Sequence, residues 1–164
     1  MRIFVTGATG VIGRRAVPLL LQAGHQVTAL ARSNARAAEM EQRGAALAQT
    51  SLFDAAALRR AMAGHDVVIN LATHIPPGTR VFLRSAWREN DRIRREGSAD
   101  VADAALAAGA RRLIQESFAP IYPASGDEWM AASARSPPAR SPRTTLDAEA
   151  SAASFGPGRR AHVV

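Results

Sequence analysis

Neither cysteine nor lysine occurs anywhere in the sequence. The first absence excludes disulfides and thiolate metal sites, so no metal is expected, and it is compatible with a reducing cytoplasm, the expected location. The second leaves arginine to carry all 21 of the Lys-plus-Arg positive charges. Aromatic residues make up only 5% of the chain, too few to interleave with those arginines as stacking platforms for bases. The net charge of +7 is spread along the chain. It reads as a composition bias towards Arg and Ala codons, and no nucleic-acid partner is expected. Long apolar runs are missing too. The strongest, Val67-Val68-Ile69-Asn70-Leu71-Ala72, suits a buried strand and is far too short to cross a bilayer. A single Arg precedes an immediate strand pattern at the amino end, without the apolar stretch or cleavage site of a signal peptide. No membrane partner is expected.

What is present is ordinary globular material: 164 residues, 47% hydrophobic and 21% charged, enough for one domain with a real core. Strand and helix patterns alternate. Arg2 to Thr6 reads as a strand, Gly7 to Gly10 as a turn, and Val11 to Ala23 as a helix with Ile12, Ala16, Leu19, Leu20 and Ala23 on one face. A strand over Gln26–Ala31, a helix over Asn34–Arg43 and a weak strand over Ala45–Gln49 follow. Asp54 caps a third helix running to Ala63. The fourth strand covers Asp66–Leu71, and Pro76-Pro77-Gly78 makes Ala72–Thr79 a loop. One long helix is expected from Val81 to Ala108, then a fifth strand over Arg111–Glu116. This alternation predicts an α/β fold: a Rossmann-type, doubly wound parallel sheet with helices on both faces. Residues 1–123 form the expected dinucleotide-binding core. In residues 124–164, Ala124 to Arg143 is a Ser-, Pro- and Arg-rich loop, Leu146 to Phe155 a short helix, and His162-Val163-Val164 the start of an incomplete last strand.

The chemistry is signalled in Gly7-Ala8-Thr9-Gly10-Val11-Ile12-Gly13. The first glycine permits a tight turn out of a strand. The second lets a pyrophosphate approach the backbone, and the third lets the helix pack close to the sheet. The helix start then offers free N–H groups and a positive dipole end to phosphate. Because this stretch follows a strand and opens a helix, Gly7, Thr9, Gly10, Val11, Ile12 and Gly13 are candidate cofactor contacts. Leu52, Leu71 and Ala72, near the ends of the third and fourth strands, join them. The second strand ends in Arg32-Ser33 with no acidic residue to hold a ribose 2′-hydroxyl. Arg32 pairing with a 2′-phosphate, and Ser33 donating to it, favours NADP, with NAD the alternative.

These residues resemble the extended short-chain dehydrogenase/reductase family, in its NAD-dependent epimerase/dehydratase branch. The resemblance is carried by Thr6 to Gly13, by Val68-Ile69-Asn70-Leu71-Ala72, by Gly97-Ser98 with Val101 to Ala105, and by Arg112-Leu113-Ile114 with its Ser117 to Tyr122 tail. Leu146-Asp147-Ala148-Glu149 resembles the helix that follows the family's catalytic lysine, so the likeness runs from Met1 to about Glu149. It implies hydride transfer on a sugar-nucleotide or other small carbonyl or hydroxyl substrate. It also implies a tyrosine and a lysine four residues apart as the proton-transfer pair, and a homodimer paired through the helices after the fourth and fifth strands.

The sequence departs from that pattern where the chemistry is done. The tyrosine position falls on Ser141, the lysine position on Thr145, and the family's serine on Phe118. Ser117 and Tyr122 are the remaining catalytic candidates. Arg94 stands where the family often has a helix-bending asparagine, and Ser51 where an acid usually touches adenine. Glu116 reads as a ligand contact or a surface acid, and His74 as a loop residue. The resemblance further implies about another half-domain, and Ser154 to Arg160 reads like a shifted end. Three expectations stand: an NAD(P)-dependent oxidoreductase, a non-catalytic NADP-binding sensor or interaction module, and a truncated inactive relic.

Overall fold

In a computed structural model of the chain, residues 1–31, 34–118, 126–127, 143–156 and 160–164 are described. The expected alternation is there. The elements are β1 (Arg2–Thr6), α1 (Gly13–Gln22), β2 (Gln26–Leu30), α2 (Asn34–Gln42), β3 (Ala46–Ala48), α3 (Ala55–Met62) and β4 (Val67–Asn70). After these come α4 (Arg88–Arg92), α5 (Ser98–Ala107), β5 (Arg112–Gln115), α6 (Arg143–Ala153) and β6 (Arg160–Val163). The described strands pair in parallel, in the order β3-β2-β1-β4-β5-β6. The chain winds outward from β1 to β3, then crosses back to β4 and winds outward the other way. This is the doubly wound Rossmann topology, and the switch of direction opens a crevice between the carboxyl ends of β1 and β4.

The central strands β1 and β4 are apolar at successive positions because both faces of the sheet are covered there. Phe4, Val68 and Leu113 point to one face, into a core with Leu58 and Met62 of α3, Val101 and Ala105 of α5, and Ala152 of α6. Ile3, Val5, Val67 and Ile69 point to the other, against Val17 of α1 and Met40 of α2. Each such side chain, fully buried, contributes about 1.5–3 kcal/mol relative to exposure. Asp54 caps α3 as expected, accepting from the Ala57 N–H at 2.9 Å.

The continuous helix expected from Val81 to Ala108 is not formed. The segment instead runs through 3-10 turns at Gly78–Phe82 and Arg84–Trp87, α4, a π-helical turn at Ile93–Gly97, and α5. Val81-Phe82-Leu83 is apolar at consecutive positions, which no single helical stripe buries. Leu83 is extended (φ −93°, ψ 114°) and Phe82 stays 85% exposed. The π-turn adds one residue to the helical circuit, and Arg94 within it turns inward to the end of β5. At the other end of the chain, α6 starts at Arg143 rather than Leu146. The Thr144 hydroxyl donates to Asp91 Oδ1 at 2.8 Å and Thr145 is fully buried. Likewise β6 starts at Arg160, before His162, and pairs in register with β5. Most of the expected loop from Ala124 to Arg143 lies outside the described residues.

One buried titratable group lies under the sheet, away from the crevice. His65 has Nδ1 3.1 Å from the Met62 carbonyl and Nε2 2.8 Å from the Thr28 hydroxyl, and it meets the Phe4 ring edge-on. Burial lowers its pKa below the ordinary 6.5. The folded state therefore holds fewer protons here than the unfolded one. Its contribution is complete above pH 6.5 and is lost as pH falls through the folded-state pKa. The expected result is a thermal midpoint that drops on acidification from pH 7.5 to about 5, with a shallower drop in His65→Gln. Equal slopes in the two proteins would rule His65 out as the cause.

Candidate functional site

β1 delivers the chain into the glycine turn at the crevice. Gly7 adopts φ +64°, and a Cβ there would lie 2.2 Å from the Leu71 carbonyl oxygen and 2.7 Å from the Ala72 nitrogen. The turn thus sits directly on the end of β4. A Cβ on Gly13 would lie 2.3 Å from the Gly7 oxygen and 2.5 Å from the Ala8 oxygen, so α1 abuts the turn it leaves. Gly10 differs: a Cβ there would meet only the Gly7 oxygen, at 3.1 Å. Its N–H donates to that oxygen at 2.9 Å, and its carbonyl accepts from Arg14 at 3.0 Å. The N–H groups of Val11 and Ile12 donate to nothing among the described residues. They are the orphan donors of a helix start, together with its positive dipole end.

A buried polar row holds the strand ends under this turn. Thr6, Asn70 and Gln115 are register partners across β1, β4 and β5. The Thr6 hydroxyl donates to Asn70 Oδ1, which also accepts from the Ala72 N–H at 3.3 Å. Asn70 Nδ2 donates to Gln115 Oε1 at 2.8 Å and to the Ser98 hydroxyl at 3.3 Å. Losing one partner would strand a buried polar group at about 1–3 kcal/mol. Beyond β4, Asn90 steadies the loop: its Oδ1 accepts from the Thr73 hydroxyl at 3.2 Å and the His74 N–H at 3.1 Å.

The crevice is a cavity of about 610 Å³. Gly7, Thr9, Gly10, Val11 and Ile12 form one wall, and Leu52, Leu71 and Ala72 lie around it. Gly13 sits behind the turn and does not line it. Arg32, Ser33 and Tyr122 lie outside the described residues. Ser117 does not line the cavity; its hydroxyl donates to Glu149 Oε1 on α6. Phe118, at the family's serine position, lies against Trp87 at 6.2 Å between ring centroids. Ser141 is outside the described residues, and Thr145 is buried in α6 with no hydrogen-bond partner for its hydroxyl among them. No cluster of three or more His, Asp or Glu able to hold a metal ion occurs among the described residues. Nor is any described helix long and apolar enough to cross a membrane.

The cavity wall also carries residues the glycine motif does not announce. Arg36, on α2, lines it beside Leu30 in the β1–β3 half. Its signal in the sequence is slight: one more arginine, four places beyond Arg32. Glu116, just past β5, lines it in the β4–β6 half. Glu116 Oε2 accepts from Arg94 Nη2 at 2.8 Å, and Arg94 Nη1 donates to the Glu116 carbonyl at 3.3 Å. Arg94 is 1% exposed, and its Nε has no partner among the described residues. Burial pushes the Glu116 carboxyl above the usual range, while the charge and hydrogen bond of Arg94 pull it back. Arg94 and Glu116 are therefore one feature, a buried ion pair whose acidic member lines the cavity.

These residues fit a dinucleotide. A glycine without a Cβ faces the space, unpaired amides stand at a helix start, and the volume is that of a small-molecule cleft. A family model described as NAD(P)H-binding matches residues 7–153. Among curated proteins, a 3-diazoavenalumate denitrifying reductase from a Streptomyces species is 38% identical over 123 residues, covering 73% of this chain and 38% of that protein. A solved UDP-glucose-4-epimerase from Stenotrophomonas maltophila with bound NAD matches with a TM-score of 0.79 at 24% identity, over 99% of this chain and 51% of that one. A short-chain dehydrogenase/reductase superfamily protein from Agrobacterium tumefaciens with bound NAD matches with a TM-score of 0.78 at 23% identity, over 99% and 48%. At these identities the solved structures establish the fold. The chain spans about half the length of these solved relatives.

Proposed function

The chain belongs to the NAD(P)H-binding family, and from that premise we propose that it binds NADP(H) in the glycine-lined cleft and serves hydride transfer to a small electrophilic substrate. The observation that carries the reading is Gly10 opening onto the cavity beside the unpaired amides of Val11 and Ile12. Those amides and the positive end of α1 would hold the pyrophosphate. Arg36 faces the same space, and Arg32 and Ser33 stand at the end of β2 in the sequence. An arginine on that side recognises a 2′-phosphate by paired hydrogen bonds and charge. The bound cofactor would supply the hydride; the chain's own part is to hold it and to exclude water.

A reductase is favoured over an epimerase. The tyrosine and lysine positions hold Ser141 and Thr145, and the sequence contains no lysine at all. Chemistry built on a tyrosine kept acidic by a neighbouring lysine has no support here. A hydride acceptor reactive enough to need no strong general acid suits this site better, and the curated relative at 38% identity is named a reductase. The absence of the pair also favours a second reading, a cofactor-binding module without turnover.

Titration with NADPH and NADH, followed by cofactor fluorescence, tests the first claim. Saturable binding of NADPH about tenfold or more tighter than NADH is expected, with Arg36→Ala erasing most of the difference. No saturable binding of either form would overturn the reading, and equal affinities would overturn the NADP preference. Turnover of NADPH with a panel of carbonyl and other electrophilic substrates separates the reductase from the module.

A further inference from the structure

Arg36 and Glu116 stand on opposite sides of the point where the strand order reverses. A dinucleotide laid across such a crevice puts one nucleotide over each half of the sheet. Its phosphates are anionic, and their natural end is the half holding Arg36. The nicotinamide then belongs to the half closed by β5, where Glu116 lines the wall. That ring is positively charged when oxidised and neutral when reduced.

Of the buried ion pair, only the anionic member reaches the ligand space. Glu116 lines the cavity; Arg94 does not, being 1% exposed and lying behind it. The pair is fixed by two donations from the guanidinium, to Glu116 Oε2 and to its own carbonyl. Among the described residues, only one carboxylate oxygen of Glu116, Oε2, is engaged by a donor, and Glu116 lines the space. A carboxylate held at a cavity wall, with its counter-charge farther off, biases any ligand whose charge changes there.

Resting on the NADP(H) reading above, we propose that Glu116, positioned by Arg94, sets which redox form of the cofactor this cleft prefers, favouring the oxidised, positively charged nicotinamide over the reduced one. Arg94 acts only through Glu116 and is a positioning residue.

The test is the dissociation constant of NADP⁺ and of NADPH for the full chain and for Glu116→Gln, with folding checked by circular dichroism. The variant is expected to weaken NADP⁺ binding by about five- to tenfold and to change NADPH binding by less than about twofold. That is a solvent-screened fraction of the interaction between a unit charge and the ring at an effective dielectric of ~20. Since Glu116→Gln strands Arg94 in the core, Arg94→Met/Glu116→Gln, which buries no charge, is measured beside it. A change of the ratio in the same direction is expected, smaller because the counter-charge is removed as well, and if the single variant fails to fold the double variant decides. Wild-type protein that binds both forms, with a ratio unmoved by either variant or with both forms weakened equally, overturns this inference alone. Wild-type protein that binds neither form overturns the NADP(H) reading and this inference with it.

Discussion

Gly7→Ala is expected to lower the stability of the chain by about 3–5 kcal/mol, against the 5–15 kcal/mol typical of a domain. Two costs combine. The backbone at Gly7 is in the left-handed region, and a Cβ would press to 2.2 Å on the Leu71 carbonyl oxygen. That atom belongs to the backbone leaving β4 and cannot swing aside as a flexible side chain would. Relief requires the turn to lift off β4, and the Leu71 N–H bond to the Thr6 carbonyl at 3.2 Å is the first lost. Urea denaturation followed by circular dichroism would show a much lower midpoint. An unchanged midpoint would mean that the turn is not seated as described. Gly10→Ala provides the contrast, because its Cβ would meet one oxygen at 3.1 Å and nothing else within 4 Å, on a residue that lines the cleft. Its stability should change by no more than about 1 kcal/mol, while NADPH affinity falls by about tenfold or more.

Arg94→Met is the second large effect. It leaves the Glu116 carboxylate buried without its counter-charge, a loss of about 3–5 kcal/mol at neutral pH. The pH dependence identifies the cause. Burial already holds the folded-state pKa of Glu116 above the ordinary 4.5, and removing Arg94 raises it further. A carboxyl so shifted keeps more protons folded than unfolded. Its favourable contribution is present below pH 4.5 and is lost as pH rises through the folded-state pKa. The deficit of Arg94→Met relative to wild type should therefore shrink as pH is lowered towards 4.5. Arg94→Met/Glu116→Gln should recover most of the loss at neutral pH. A deficit independent of pH, or a double variant no better than the single, would assign the loss to packing around the methionine.

Several features could be read from the residues because their physics is local. The alternation of strand and helix follows from short-range hydrophobic periodicity. Gly7 and Gly13 stand where a missing Cβ is demanded by backbone within the same βα unit or on the adjoining strand. The Asp54 cap spans three residues. The long segment from Val81 to Ala108 departs from a single helix for two reasons, one local and one remote. Val81-Phe82-Leu83 offers no single apolar stripe and the chain is extended at Leu83, which is a local cause, while the π-turn is shaped from afar, with Arg94 inside it reaching Glu116, 22 positions away. The buried row of Thr6, Asn70 and Gln115 was likewise invisible, since each is an isolated polar residue at the end of an apolar strand until the register aligns them.

The candidate site divides along the same line. The sequence by itself determined the doubly wound parallel fold, the glycine turn and the absence of the tyrosine–lysine pair, because each depends on residue types at short and fixed spacing. Only the tertiary structure decided that Arg36 and Glu116 line one cleft from opposite halves, and that Ser117 turns away to Glu149. It also decided that Arg94 is a buried counter-charge. These facts depend on distances between elements far apart in the chain. The parallel register of β1, β4 and β5 sets those distances, and no local pattern encodes them.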